Sequence, residues 1–447
     1  MSHLPRPLIL CLCLAVAGCS AGSSRTSAPA GEPIRIGAVF PLGGNAAGLA
    51  GYELQGVRIA ADLVNADGGI DGRPIELDVR DLERGADAAA AMASLKEEGI
   101  QVVIGAYGSD LSIAASKAAD AAGLVYWEAG AVADRLTGRG LPMVFRVGAT
   151  GSNLGSNSAA FAATELASRL GRATTELRVA IVAADDAYAT SIADAAAATS
   201  ASFDMPVVAR ATYSLVIPDW SGLMAGLSAA RPDVIILASH IPDGIAFRRA
   251  MLASGLEVGA LIGSTMAECD PDFAGELGAD AIGIFASDRP TGGFQPDALA
   301  SDARAVYDRF ATAWGSPPID EGSPRPGYGD DAEYAISGPG ESASAAATEE
   351  ALSGFTAGWA LFHAVLPQAA AAGGLDAAMI AAAASRVDLP TGSLPNGAGL
   401  HFSTDPASLG QNERAAAVIW QWQAVRTYAF VWPGTFATGS IGFVPLP

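Results

Sequence analysis

The chain has 447 residues, half of them apolar, and carries a formal charge of −21 at pH 7. A surface so rich in negative charge repels nucleic acid and anionic lipid head groups, so we expect no nucleic-acid partner. The length is too great for one small core and predicts two domains. After the N-terminal apolar segment, no stretch is long enough to predict a membrane span.

Residues 1–18 have the pattern of a signal peptide. Arg6 precedes a short apolar run that ends in Val-Ala-Gly before Cys19. This ending resembles the lipobox of bacterial lipoproteins, which implies that Cys19 becomes the lipidated first residue and tethers the protein to a bacterial membrane. The alternative is an ordinary secretory signal in which Cys19 is incidental. Residues 19–32, rich in Ser, Ala, Gly and Pro, are expected to form a flexible tether.

Strands and helices alternate from residue 33 onward. Strands are predicted at 33–41, 75–81, 101–105 and 124–127, with helices over 86–98 and 114–122 and another on which Leu54, Val57, Ala61 and Val64 share a face. A second block has predicted strands at 177–183, 207–213, 233–237, 261–263 and 282–286. Such alternation predicts parallel sheets covered by helices on both faces. Two blocks joined near residues 146–150 predict two α/β lobes.

Two turns made of small residues follow neighbouring predicted strands. One is the segment VIGAYGSD at 103–110, where an apolar run stops at a glycine and a Ser-Asp pair begins a helix. The other is Ala129-Gly-Ala-Val132, after the strand that ends at Trp127. In parallel sheets ligands bind beyond the carboxyl ends of strands, at helix N-termini. The sequence therefore predicts a small-molecule site between the lobes.

Several segments resemble the type I periplasmic binding proteins, especially the leucine/isoleucine/valine-binding receptors of ABC importers. They are IRIGAVFPLGG, NADGGIDGRPIEL, VVIGAYGSD, GLVYWEAGAVADRLTGRG and the tail RTYAFVWPGTFATG. The resemblance implies two Rossmann-like lobes with parallel sheets joined by a three-strand hinge. Lobe 1 would comprise 33–148 and 288–400, and lobe 2 would comprise 149–287 and 401–439. An acidic, Gly/Pro/Ser-rich insertion at about 316–349 is expected to be a partly mobile surface loop.

The resemblance also implies where the ligand would bind. The hydroxyl of Ser109, in the Tyr107-Gly108-Ser109 turn, would hold a ligand carboxylate, together with backbone groups of Gly130 and Ala131. Two selective contacts of the family are changed, since Val132 replaces a threonine and Thr265 replaces an acidic residue that pairs with the ligand ammonium. The remaining aligned positions are Leu49, in place of an aromatic residue, and Tyr188 and His240 in the second lobe.

Several of these residues have structural alternatives. The alternative for both Ser109 and Asp110 is a role as the N-cap of the helix; we favour ligand contact for Ser109 and capping for Asp110. Trp127 is expected in the core. Glu128 ends a strand, where a charge must be exposed or paired, and it is a candidate for the missing ammonium partner. Tyr188 and His240 could merely cover the cleft, and Asp185 and Asp186 are expected to be solvated.

Signatures of catalysis are weak. The sequence has no G-x-S-x-G or H-E-x-x-H motif, and the histidines at 240, 363 and 401 are each isolated, which is poor material for zinc. The Gly-rich segment 148–155 is interpreted as a hinge rather than a phosphate loop. We therefore expect a monomeric, non-enzymatic lipoprotein without cofactor or metal, which delivers a small polar amino-acid-like or amide-like ligand to ABC permease subunits. The alternatives are a ligand-sensing lipoprotein that signals to a receptor and, less favoured, a hydrolase.

Overall fold

The computed structural model describes, besides Met1, residues 31–265, 271–315, 347–425 and 427–447. The predicted signal peptide, Cys19, and residues 316–346 of the predicted insertion lie outside the described residues. Among the described residues, no helix combines the length and the apolar character needed to cross a membrane.

The first lobe is built on a five-stranded parallel sheet. Its strands are β1 (Ile34–Phe40), β2 (Ile75–Asp81), β3 (Val102–Gly105), β4 (Val125–Glu128) and β5 (Val144–Arg146), in the order β2-β1-β3-β4-β5. The helices α1 (Ala47–Ala66), α2 (Ala88–Glu97) and α3 (Ser109–Ala121) alternate with them. All four residues of β3 are buried, as the apolar run in the sequence predicted. Trp127 is fully buried, and its Nε1 donates to the carbonyl oxygen of Ala357 at 2.9 Å, which confirms its place in the core.

The second lobe continues the alternation. Helix α4 (Gly151–Phe161) continues through a π-helical segment, Ala162–Leu166, into α5 (Ala167–Arg169). Then follow β6 (Val179–Ala184), α6 (Ala187–Ser202), β7 (Val207–Tyr213), α7 (Trp220–Ala230), β8 (Val234–Ala238), α8 (Ile241–Ser254), β9 (Ala260–Ser264), α9 (Pro271–Leu277) and β10 (Phe285–Asp288). The strands β10-β9-β8-β6-β7 lie side by side and are parallel, as predicted.

After β10 the chain returns to the first lobe. The helices there are α10 (Ser301–Gly315), α11 (Glu349–Trp359), α12 (Leu366–Ala371) and α13 (Ala377–Ala384), with a π-helical segment at Ala360–Val365. Two short strands follow, β11 (Asp388–Leu389) and β12 (Leu400–His401). Helix α11 packs backbone to backbone on α1, because a Cβ on Gly56 would lie 2.1 Å from the carbonyl oxygen of Ala351. Only glycine permits this approach.

The chain then crosses to the second lobe again and ends in a hairpin. Strands β13 (Val418–Ala424) and β14 (Thr427–Trp432) extend the second sheet beyond β10, and both pairings are antiparallel. The sequence prediction of parallel sheets did not include this edge. Two residues separate β13 from β14, and so short a connection allows only an antiparallel pair. The chain thus passes between the lobes three times, after β5, after β10 and before β13.

Candidate functional site

The carboxyl ends of the parallel strands in both sheets border one cleft between the lobes. Its volume is about 490 Å³, within the range of roughly 300–1,000 Å³ usual for small-molecule sites. Most of the predicted site residues line it: Tyr107, Gly108, Ser109, Gly130, Ala131, Val132, Tyr188, His240 and Thr265. Leu49 and Glu128 do not. Leu49 is partly buried in α1, where it packs against the hydrophobic core instead.

Ser109 is the first residue of α3, and its hydroxyl is oriented by a neighbouring loop. Gly108 precedes the helix with φ 73°, and the first helical hydrogen bond runs from the N–H of Ser112 to the carbonyl oxygen of Gly108 at 3.0 Å. The N–H groups of the first turn therefore have no helical partner. The Ser109 hydroxyl oxygen accepts from the N–H of Ala133 at 3.1 Å, so its own hydrogen can be donated into the cleft.

Neither predicted capping role is present at this helix. No side chain caps α3, so the capping alternative for Ser109 is wrong, and so is the prediction that Asp110 is the cap. Asp110 is largely exposed, and its carboxylate lies 3.3 Å from the guanidinium of Arg135. The positive end of the helix is consequently left open to a ligand.

Glu128 does not supply a charge to the cleft, and the hypothesis that it replaces the ammonium partner is wrong. It is fully buried. Its Oε1 accepts from the N–H groups of Gly130 at 3.0 Å and Ala131 at 2.9 Å, and its Oε2 accepts from the hydroxyl of Tyr126 at 3.0 Å. Burial raises the pKa of Glu128, and these hydrogen bonds partly offset the rise. The same bonds occupy the N–H groups of Gly130 and Ala131, the two residues whose backbone groups the resemblance had assigned to the ligand.

The carbonyl groups of this loop are also occupied. Arg289, which directly follows β10, donates from Nη1 to the carbonyl oxygen of Gly130 and holds Glu349 through Nε and Nη2 at 2.7 Å each. Arg146 donates from Nη1 to the carbonyl oxygens of Ala131 at 3.2 Å and Ala133 at 2.7 Å. Both arginines are buried. Burial lowers the pKa of Arg289, but the charges of Glu349 and Asp288 outweigh it and raise the pKa overall.

The loop after β4, residues 129–132, therefore presents a largely apolar wall to the cleft. Its N–H groups face Glu128, its carbonyls face two arginines, and Val132 adds a side chain without a hydroxyl. Sequence reasoning missed this arrangement, because Arg289 lies far along the chain from the loop that it holds.

The second lobe contributes a more polar wall. The Tyr188 hydroxyl donates to the carbonyl oxygens of Ser239 and Ser264, at 3.1 and 3.0 Å, and its ring centroid lies 5.1 Å from that of His240. Thr265 is held at φ 63° and is 1% exposed, and its hydroxyl has no hydrogen-bond partner among the described residues. Tyr188 and Thr265 thus place hydroxyl-bearing side chains in the cleft beyond the ends of β6 and β9, the two strands that flank β8.

Asp186 is a cleft residue that the sequence analysis took to be solvated. It caps α6, where its Oδ1 accepts from the N–H of Ala189 at 2.8 Å, and its Oδ2 lies 3.0 Å from Nε2 of His240. Burial raises the pKa of Asp186, but the hydrogen bonds from His240 and the Ala189 N–H outweigh it and lower the pKa overall. An aspartate directly before a helix is a common N-cap, and this was the sequence signal that could have identified the role of Asp186. Asp185 is exposed, as predicted.

The described residues contain no group of three or more His, Cys, Asp and Glu side chains placed to hold a metal ion. The side chains that line the cleft are suited to hydrogen bonding and charge pairing with a small organic molecule.

The comparisons agree with the fold. Residues 33–328, more than half of the chain, match the family described as periplasmic binding protein, and the chain belongs to that family. It is 28% identical over 394 residues to the Leu/Ile/Val-binding protein homolog 8 of Brucella abortus, covering 87% of this chain and 88% of that protein. It is 27% identical over 415 residues to homolog 7 of Brucella melitensis, covering 92% and 94%.

Solved structures show the same fold. The branched-chain amino acid transporter substrate-binding protein LivJ of Streptococcus pneumoniae, in complex with isoleucine, superposes with a TM-score of 0.67 at 18% identity, covering 90% of this chain and 100% of that chain. A periplasmic binding protein type 1 from Bordetella pertussis gives 0.68 at 20% identity, covering 87% and 96%.

Proposed function

We propose that this protein is the solute-binding component of an ABC importer, located outside the cytoplasm and tethered to the membrane through Cys19. One observation carries the proposal. A cavity of about 490 Å³ separates the open N-terminus of α3, with the Ser109 hydroxyl, from the polar wall formed by Asp186, Tyr188 and His240. Such a cavity can enclose one small polar molecule. The names of the relatives support an amino-acid-like ligand, and the changed contacts at Val132 and Thr265 add an amide-like one as the alternative.

A ligand carboxylate or amide oxygen would bind at the start of α3. There the Ser109 hydroxyl, the first-turn N–H groups that have no helical partner and the helix dipole all favour a negative atom. Closure of the second lobe would bring Tyr188, His240 and Thr265 against the other end of the ligand. The three connections between the lobes allow that rotation, and the closed form would be the state that the permease recognises.

We expect leucine, isoleucine and valine not to be the best ligands. Val132 offers no hydroxyl to a carboxylate, Thr265 offers no charge to an ammonium, and the backbone polar groups of Gly130 and Ala131 already have partners. A different amino acid or an amide should bind more tightly. The test is a thermal-shift screen of amino acids, amides and small carboxylates followed by calorimetry. Submicromolar binding of leucine with weaker binding of all the others would contradict this expectation.

The tether and the transport role have separate tests. The Cys19→Ala variant should leave an uncleaved precursor or release the protein from the membrane fraction. An unchanged membrane fraction and an unchanged N-terminal mass would contradict the anchoring. Deletion of the gene should abolish cellular uptake of the radiolabelled ligand found in the screen. If uptake continues and a transcriptional response to the ligand is lost, the protein is a sensor instead.

A further inference from the structure

A carboxylate and an imidazole form a pair on the second-lobe wall of the cleft. Asp186 follows β6, and His240 follows the adjacent strand β8, so both side chains lie at neighbouring strand ends. The Asp186 Oδ2 atom lies 3.0 Å from Nε2 of His240, and the two side chains are 17% and 26% exposed. Both line the cavity. The pair is therefore shielded from bulk water while it remains accessible to a ligand.

Building on the proposed function, we propose that Asp186 is the counter-charge for a cationic amine of the ligand, and that His240 releases its proton to solvent when that amine binds. The ligand would then be zwitterionic, with its carboxylate at Ser109 and its ammonium at Asp186.

Three other buried acids, Glu128, Glu349 and Glu53, are not available for this role. Both oxygens of Glu128 already accept hydrogen bonds, and Glu349 is held by the Arg289 guanidinium. Glu53 lies behind the cleft wall, since a Cβ on Gly130 would meet its Oε2 at 1.9 Å. The Asp186 carboxylate, by contrast, has lone pairs left after accepting from the Ala189 N–H and from His240.

Proton release follows from the charges that surround His240. Asp186 faces it from α6, Asp243 of its own helix lies 3.8 Å from its Nδ1, and Asp110 acts on it from α3 across the cleft. The Tyr188 ring packs beside it, and the Tyr213 hydroxyl hydrogen-bonds to Asp243. Burial lowers the pKa of His240, but the hydrogen bond and charge of Asp186, with the charges of Asp243 and Asp110, raise the pKa overall.

The unliganded protein therefore keeps His240 protonated over more of the neutral range than a free histidine. A ligand ammonium on Asp186 would place a second cation beside the imidazolium, and like charges at that distance repel. Because the ligand binds the form with neutral His240, affinity should rise with pH by up to about tenfold per unit, and then level off above the unliganded pKa.

The test uses matched probes. Each of the twenty L-amino acids is paired with the carboxylic acid of the same skeleton that lacks the amine. Calorimetry between about pH 5.5 and 8, in two buffers of different ionisation enthalpy, measures affinity and protons released. The tightest-binding amino acid should bind much more strongly than its amine-free partner. It should also release a proton at the acidic end of the range, and the release should disappear in His240→Gln.

Variants of two adjacent aspartates separate the effect of the Asp186 charge on affinity from the effect of losing any negative charge near the cleft. Asp186→Asn keeps a side chain that can cap α6 and should weaken binding of that amino acid about ten- to a hundredfold. Asp185→Asn removes the same charge from an exposed neighbour and should change affinity less than about twofold. Equal effects of the two variants, equal binding of the amine-free acid, or no proton release by the parent protein would overturn the inference. If no probe binds the parent protein while an amide from the thermal-shift screen does, the inference is overturned and the proposed function stands. If no compound of either set binds, the proposed function is overturned.

Discussion

Replacing Ser109 by alanine removes a hydroxyl that has one observed hydrogen bond and one proposed ligand contact. Its oxygen accepts from the N–H of Ala133 at 3.1 Å, and both residues are buried. Without the hydroxyl, that N–H is left without this acceptor in a buried setting, which costs about 1–3 kcal/mol. We expect the free energy of unfolding of the unliganded protein to fall by about this amount, measured by denaturant titration.

The same change removes a donor from the ligand site. A hydrogen bond to a charged ligand oxygen contributes about 1.5–3 kcal/mol, so affinity should fall roughly ten- to a hundredfold in calorimetry with the tightest ligand from the screen. Ser109→Thr retains the hydroxyl and should lose less in both measurements. Ser385→Ala, an exposed serine whose hydroxyl donates to the Ala381 carbonyl, is the control and should leave affinity unchanged. If Ser109→Ala destabilises the protein while affinity holds, the hydroxyl is only structural and the assignment fails.

Gly130→Ala should destabilise the protein by about 1–3 kcal/mol, because the new Cβ would lie 1.9 Å from Oε2 of the buried Glu53. Gly48→Ala is the control and should not destabilise it, because no atom of another described segment would lie within 4 Å of its Cβ. Glu53→Ala in the same chain should recover part of the loss; no recovery would show that the clash lies elsewhere. His240 should stabilise the unliganded fold most below about pH 6.5, and this contribution should disappear as pH rises through its raised pKa. A melting-temperature difference between the parent protein and His240→Gln that stays constant across this range would contradict that sign.

Local patterns in the sequence were sufficient for most of the architecture. The predicted strands at 75–81 and 207–213 coincide with β2 and β7, which lie at sheet edges and are only partly buried. Short runs with alternating or β-branched residues, bounded by turn residues, indicate a strand even where burial is partial. The Ser-Asp pair indicated the start of α3 at Ser109, whereas apolar periodicity indicated the helix only from residue 114. Its first turn is polar, and apolar periodicity therefore gives no signal there.

The position of the candidate site was also readable from the sequence. Ser109, Gly130, Tyr188 and His240 each follow a strand, and strand ends of parallel sheets meet at one edge. The resemblance to the periplasmic binding proteins indicated which strand ends to expect at the ligand site. The structure brings all four residues to one cavity.

What these residues do with their polar groups was decided only by the tertiary structure. Glu128 was taken for a ligand partner, yet it bonds the backbone of its own loop, and Asp186 was taken for a solvated charge, yet it pairs with His240. Arg289 holds Gly130 although 159 positions separate them in the chain. Apolar burial depends on local periodicity and can be read along the chain. The partner of a charge depends on which distant segments fold beside it, and local sequence carries no record of that.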